Sequence, residues 1–323
     1  MTQSKYYKYI TLGLLIMVFC SGPVWAKPFV PPTGKTLLFV GQDRDTIALY
    51  VGATGNIPGG TMLYTSVKNL EGLSGPTDYG SGPEDGNALL QSYPNSVVQV
   101  GLYLVNDLNR INAGILDGNL RKLAQWIKKA DRPVYLRIGY EFDNPDNHYD
   151  PQEYVQAFRH VVDFMRKEGV TNAAYVWHSY CSAKAPGRQW MDWYPGDEYV
   201  DWFGASMFAV PASLWSAADF VKLAREHHKA FMICESTPWG MYTNRGKIDF
   251  LKHVFQFIKD QKVEAFCYID SNWDVMPMFR NLHVGDSRIE EYPEIEALWL
   301  KEINQDRYLS ESPDLFQSLG WPL

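Results

Sequence analysis

Apolar residues along this chain gather into eight short runs, most of them closed by polar or turn residues. They occupy residues 36–43, 61–67, 96–105, 132–142, 173–180, 200–208, 230–236 and 263–273. The runs are near-continuous rather than alternating, which is the pattern of parallel strands covered on both faces. Between them the apolar period changes to that of helices. Residues 119–130 precede the fourth run, and residues 151–169 follow it, with Pro151 suited to a first helical turn and Gly169 to a C-terminal cap. In that second segment Tyr154, Phe158, Val161, Val162 and Met165 recur at helical spacing and predict a face packed on the sheet. Residues 216–229, 247–262 and 292–305 supply helices after the sixth, seventh and eighth runs; the helical signal after the first two is weaker.

Strand and helix alternating eight times predict a single-domain (β/α)8 barrel of the TIM type. A doubly wound open sheet competes, but it would usually carry a glycine-rich phosphate loop after its first strand, and residues 40–55 hold none. No long polar linker divides the chain. The Gly-, Ser- and Pro-rich residues 72–86 read as a long loop at the barrel rim, and residues 307–323 as a tail packed on the outside through Leu315, Leu319 and Trp321.

The amino terminus has its own pattern. Lys5 and Lys8 precede an apolar run, and Val24 and Ala26 occupy the small-residue positions of a cleavage site, so residues 1–26 are expected to be a secretory signal peptide, with an uncleaved membrane anchor as the lesser alternative, and residues 27–323 the catalytic domain. A secreted or periplasmic location follows, with no stable membrane partner after cleavage. The formal charge of -7 becomes more negative once Lys5 and Lys8 leave, and no basic stripe invites nucleic acid. Cys181, Cys234 and Cys267 then remain, an odd number with no metal-ligand spacing, and buried free thiols are expected rather than a disulfide framework. No metal or other cofactor is implied. Asp143, Asp146 and Asn147 lack the glycine and closing glutamate of a calcium loop, and no strand-end lysine or GxSxG elbow offers other nucleophilic chemistry.

In a barrel of this kind chemistry sits where strands end. The fourth run delivers Glu141 into a turn and the seventh delivers Glu235, and no other run repeats that pattern. Glu141 alone would equally fit a solvated strand end. Together, two carboxyl groups facing each other across the barrel mouth are what hydrolysis of a glycosidic bond requires. Arg137, four residues before Glu141, is a candidate partner for Glu235 or a purely structural ion pair. Trp273 closes the eighth run, where a floor beneath a sugar ring would sit. Tyr140, Trp177, His178, Tyr180 and Trp239 are strand-end or loop residues that fit a cleft lining, although His178 also fits a structural histidine. Gln42 and Asp43 close the first run and are candidates for bonding sugar hydroxyls. Trp190 and Trp193 fit stacking on a chain-like substrate. An aromatic content of 15% suits such a cleft. The expected partner is a polysaccharide or oligosaccharide, bound by a monomer.

The chain resembles glycoside hydrolase family 26, the β-mannanase family, within the larger clan of retaining (β/α)8 glycosidases. The carrying segments are "LLFVGQD", "LRIGYEFD", "NAAYVWHSY", "YPGDEYVDWFGASMF" and "ICESTPWG", in the family's order. The resemblance implies that Glu141 is the acid/base and Glu235 the nucleophile of an endo-acting enzyme on β-mannan or a related glycan. As a proton donor, Glu141 is expected to be held neutral by burial against Tyr140, Phe142 or Trp177. Two departures fall on sugar-contact positions: Tyr140 and Asp143 stand where the family commonly has histidine and asparagine, and Met207 and Phe208 where the sixth strand often ends near a tyrosine. A glycan-binding barrel without catalysis, or the same chemistry on galactan or another linkage, are the alternatives.

Overall fold

A computed structural model describes residues 28–181, 190–208 and 212–322, so the expected signal peptide lies outside the described residues. Eight parallel strands close into a barrel: β1 Thr36–Gly41, β2 Gly60–Ser66, β3 Val97–Tyr103, β4 Val134–Ile138, β5 Ala173–Ser179, β6 Trp202–Met207, β7 Ala230–Ser236 and β8 Ala265–Ile269. Each pairs with the next, and β8 pairs back to β1 over Leu37↔Ala265 to Gly41↔Ile269, leaving no free edge in the barrel. A short strand at Tyr308–Leu309 adds to β1 from outside the ring. The eight predicted runs are therefore the eight strands.

The helices are α1 Arg44–Thr54, α2 Gly86–Ser92, α3 Leu108–Asn112, α4 Asp117–Ala130, α5 Pro151–Lys167, α6 Ala212–Glu226, α7 Asn244–Gln261, α8 Pro293–Ile303 and α9 Leu315–Ser318. The weakly signalled α1 and α2 are present, each started by an aspartate that accepts backbone N–H groups, Asp43 and Asp85. After β5 the described residues hold only a 3₁₀ turn, Trp190–Trp193. In α5, Pro151 opens the first turn, the Asp150 carboxylate caps it, and Tyr154, Phe158, Val161, Val162 and Met165 are all fully buried, as their spacing predicts.

The apolar residues form two clusters separated by the sheet. One lies between strands and helices; the other fills the barrel with Leu37, Phe39, Met62, Tyr135, Val176 and Trp202 among its members. At the bottom of the barrel the Tyr135 hydroxyl donates to the Phe29 carbonyl and the Trp202 indole to that of Pro28. The carboxy-terminal tail does not pack on the outside as expected. Leu315 and Leu319 join the interior cluster, and Trp321 meets Phe29 edge-on at 6.0 Å, so both ends of the described chain close the bottom. That leaves the opposite end, where the strands finish, as the open face.

Candidate active site

Arg137 is the centre of the site. It is fully buried on β4, its Nη1 donates to Glu235 Oε1 on β7, and its guanidinium lies over the rings of Tyr64 and Tyr140 at 4.9 and 5.0 Å. Gly101 makes room for it, since a Cβ there would sit 2.8 Å from Arg137 Nη2. Glu235 keeps 7% of its surface exposed, so the paired carboxylate sits at the edge of the opening.

Glu235 reaches that position through an irregularity in β7. Ala205 of β6 pairs with Ile233, but the next residue, Ser206, pairs with Glu235, so Cys234 is an extra residue in the ladder. Cys234 belongs to the interior cluster and Glu235 meets the interior Arg137, so two successive residues face inward where alternation allows one. Gly204 permits the bulge: a Cβ there would fall 2.2 Å from the Cys234 sulfur.

Glu141 arrives by a different route. The strand ends at Ile138, and the chain turns through left-handed backbone at Gly139 (φ 56°) and Glu141 (φ 53°). For a glutamate that conformation is strained by about 1 kcal/mol or more. Asn147 holds the turn by donating to the carbonyls of Tyr140 and Glu141, and Phe142 anchors it by stacking on Trp177 at 4.4 Å. Asp143 accepts from Ser179 Oγ, the Tyr180 amide and the Trp190 indole, tying the turn to the end of β5. The Glu141 carboxyl accepts from Ser206 Oγ at Oε1 (2.6 Å) and from Asn144 Nδ2 at Oε2 (3.0 Å). Burial, followed by the nearby charge of Glu235, pushes its pKa from 4.5 up to about 8, so it is a neutral acid near pH 7. One neutral and one Arg-paired carboxyl group at one opening match the acid and nucleophile of glycoside hydrolysis.

The same shift makes a stability prediction. Between about pH 4.5 and 8 the folded chain retains a proton on Glu141 that the unfolded chain releases, so this group's contribution lowers stability as pH rises and levels off above 8. Glu141→Gln removes that dependence. The stability difference, variant minus wild type, is expected to grow by on the order of 4 kcal/mol across that window. Urea denaturation at a series of pH values measures it; parallel curves for the two proteins would contradict the raised pKa.

The other expected site residues divide. Tyr140, half-buried, joins Tyr64 and the more exposed Tyr103 in an aromatic wall on the β2–β4 side. Trp239 is half-buried on the opposite side, beside Phe208 at 5.5 Å and Trp273 at 5.8 Å, and Tyr180 lies 6.3 Å from Phe208. Trp273 itself is only 5% exposed and stacks on Phe279 at 4.2 Å; it backs Trp239 rather than presenting an open floor. His178 points into the site, bonded to Arg137 and Ser206.

Two expectations are corrected. Trp177 is wholly buried on the outer side of β5 among Phe142, Phe203 and Phe220, so it supports the Glu141 turn from behind and touches no cleft. Asp43 is buried because its oxygens accept from the Asp45 and Thr46 amides and the Thr46 hydroxyl at the start of α1, which leaves sugar hydroxyls out of its reach. Gln42 is also buried, donating to the Ser81 carbonyl. Trp190 and Trp193 are half-buried and pack against the outer core. Cys181, Cys234 and Cys267 are buried. Ser206, Asn144, Tyr64 and Tyr103 were not anticipated; the alternation Trp202, Gly204, Ser206 along β6 was the available signal for the first.

Comparison with known proteins identifies the family and the fold. The family profile described as Glycosyl hydrolase family 26 matches residues 95–285. The chain is 33% identical over 322 residues to the β-1,3-xylanase TXYA of a Vibrio species, spanning 90% of this chain and 69% of that one. It is 31% identical over 349 residues to a β-1,3-xylanase of an Alcaligenes species, spanning 99% and 74%. A modular endo-β-1,4-mannanase of Cellulomonas fimi superposes with a TM-score of 0.62 at 18% identity, over 88% of this chain and 74% of that one. A family 26 β-mannanase of Bacteroides ovatus gives 0.56 at 13%, over 88% and 93%. At those identities the two solved structures speak for the fold alone.

Proposed function

The chain belongs to glycosyl hydrolase family 26, and from that premise we propose that it is an exported, retaining endo-glycosidase whose substrate is a β-1,3-linked xylan. It is a glycoside hydrolase acting on β-linked polysaccharide. The reading of mechanism rests on one observation: at the strand ends an Arg137-bound Glu235 lies near enough for its charge to act on Glu141, which burial and that charge hold neutral.

In the first step Glu235 attacks the anomeric carbon through Oε2, the oxygen not bonded to Arg137, while the bond to the leaving oxygen breaks and Glu141 delivers its proton there. The glycosyl ester on Glu235 then meets water. Glu141, now ionised, takes the water proton as the oxygen attacks and the ester bond releases Glu235 as a carboxylate. Formation of the ester removes the Glu235 charge that had helped hold Glu141 neutral, so the same residue becomes an effective base for the second step. A barrel that only binds glycan has no use for this arrangement. The substrate moves from the β-mannan first expected to β-1,3-xylan because the relatives above 30% identity that span most of both chains carry that name. Export rests on the amino-terminal pattern of two lysines, an apolar run and a small-residue cleavage site.

A panel of β-1,3-xylan, β-1,4-xylan, β-1,4-mannan, β-glucan and galactan tests this directly. Release of reducing ends from β-1,3-xylan is expected to exceed the others by at least about tenfold in kcat/KM, with the β-anomer of the product appearing first by proton NMR. A preference for mannan would replace the substrate, and a first-formed α-anomer would refute retention.

A further inference from the structure

Glu141 and Glu235 are joined by a continuous hydrogen-bonded path through two side chains that the double-displacement scheme does not use. Arg137 Nη1, which binds Glu235, also lies 3.2 Å from His178 Nδ1; His178 Nε2 is 2.9 Å from Ser206 Oγ; and Ser206 Oγ is 2.6 Å from Glu141 Oε1. The direction of each bond follows from chemistry. Arginine has donors only, so His178 Nδ1 must accept and its proton lies on Nε2. Ser206 Oγ then accepts from Nε2–H, and its single proton is committed to Glu141 Oε1. At the other oxygen, Asn144 Oδ1 accepts the Asp146 amide, which orients the amide so that Nδ2 donates to Glu141 Oε2 at 3.0 Å.

We propose that His178 and Ser206 are positioning residues of the hydrolytic reaction, through which Arg137 fixes the orientation of the Ser206 hydroxyl, makes Glu141 Oε1 a dedicated acceptor, and leaves Oε2 as the oxygen that gives and takes the catalytic proton. The proposal rests on the retaining reading above. His178 stays neutral: burial and then the Arg137 charge hold it well below the usual histidine range, and protonated Nδ1 would face a guanidinium. The path is therefore no proton wire between the carboxyl groups. Its terminal bond favours ionised Glu141, opposing the burial and the Glu235 charge that favour the acid. That opposition assists the second step, in which Glu141 must be ionised to act as base. Among the described residues, the other ionisable groups facing Glu141 are Glu235 and Cys234 on β7, Arg137 on β4, Tyr140 in the turn after it, and Tyr149 in the loop before α5. None of these donates to Oε1, so the Ser206 bond is separable from them by mutation.

Ser206→Ala removes one oxygen. In that variant the alkaline limb of kcat/KM is expected to move upward by about one pH unit relative to wild type, because the charged acid loses a donor. With an aryl glycoside whose good leaving group needs little protonation, kcat near pH 6 is expected to fall about tenfold while kcat/KM changes little, with a burst marking accumulated glycosyl-enzyme. Ser206→Thr, which keeps the hydroxyl, is expected to restore the limb. A merely structural role would lower kcat and kcat/KM together without moving the limb, and that outcome overturns the proposal. Wild-type protein labelled with ¹⁵N-histidine supplies an independent check that survives poor folding of a variant: the His178 resonances are expected to show the neutral Nε2–H form without titration from pH 5 to 9. A titrating or Nδ1-protonated His178 overturns the assignment. A wild type that cleaves no glycan sinks the hydrolytic reading and this proposal with it, whereas an active wild type with an unmoved limb in Ser206→Ala sinks this proposal alone.

Discussion

Glu235→Ala is expected to lose at least about 10⁴-fold in kcat/KM, and Glu141→Ala about 10²–10⁴-fold, the smaller loss falling on substrates with good leaving groups. The asymmetry comes from what each group supplies. Without Glu235 nothing forms the covalent intermediate. Without Glu141 an activated leaving group still departs, and the ester on Glu235 then waits for an unassisted water. Azide separates the two. In Glu235→Ala it attacks the substrate directly and yields the α-glycosyl azide; in Glu141→Ala it attacks the glycosyl-enzyme and yields the β-glycosyl azide. The same azide anomer from both variants, or kcat/KM within about tenfold of wild type in either, would refute the assigned roles.

Arg137→Met carries the second large effect, and it falls on stability as well as on rate. Arg137 is fully buried and is paired with Glu235, which has 7% of its surface exposed. Removing one member of such a pair strands the other charge in a poorly solvated place, which costs about 3–5 kcal/mol, whereas replacing both by neutral groups costs far less. Arg137→Met is therefore expected to be destabilised by that amount, and Arg137→Met combined with Glu235→Gln is expected to recover much of the loss. Chemical denaturation of the wild type, both single variants and the pair, taken as a double-mutant cycle, gives the coupling. A single variant within about 1 kcal/mol of wild type would mean that water already serves Glu235 and that the arginine holds no essential charge.

Both predictions concern residues recognisable before the fold was known, and for different reasons. Arg137 could be placed from period-two alternation, because β4 is regular up to Ile138. Glu141 was recognised by the abrupt end of an apolar run, but strand alternation does not aim it: the strand has ended, and left-handed turns at Gly139 and Glu141 do so. Trp177 shows the converse. It sits at a strand end among polar neighbours, yet alternation next to the inward His178 turns it outward into a cluster with Phe142 and Phe220. Asp43 was misread because a helix too weakly patterned to anticipate begins at the next residue and takes its carboxylate as a cap.

The sequence by itself determined the barrel, because eight near-continuous apolar runs spaced by helical segments must be covered on both faces and the first is followed by no glycine-rich loop of a doubly wound sheet, and it marked the two glutamates because a strand rarely ends an apolar run on a charge without a use for it. Tertiary structure alone decided how those glutamates meet. The extra residue in β7 depends on Gly204 of the neighbouring strand leaving room for the Cys234 sulfur, and the tautomer of His178 depends on an arginine one strand away and a serine on another. Such requirements join residues that are remote in the chain and adjacent only across the ladder, so no local period records them.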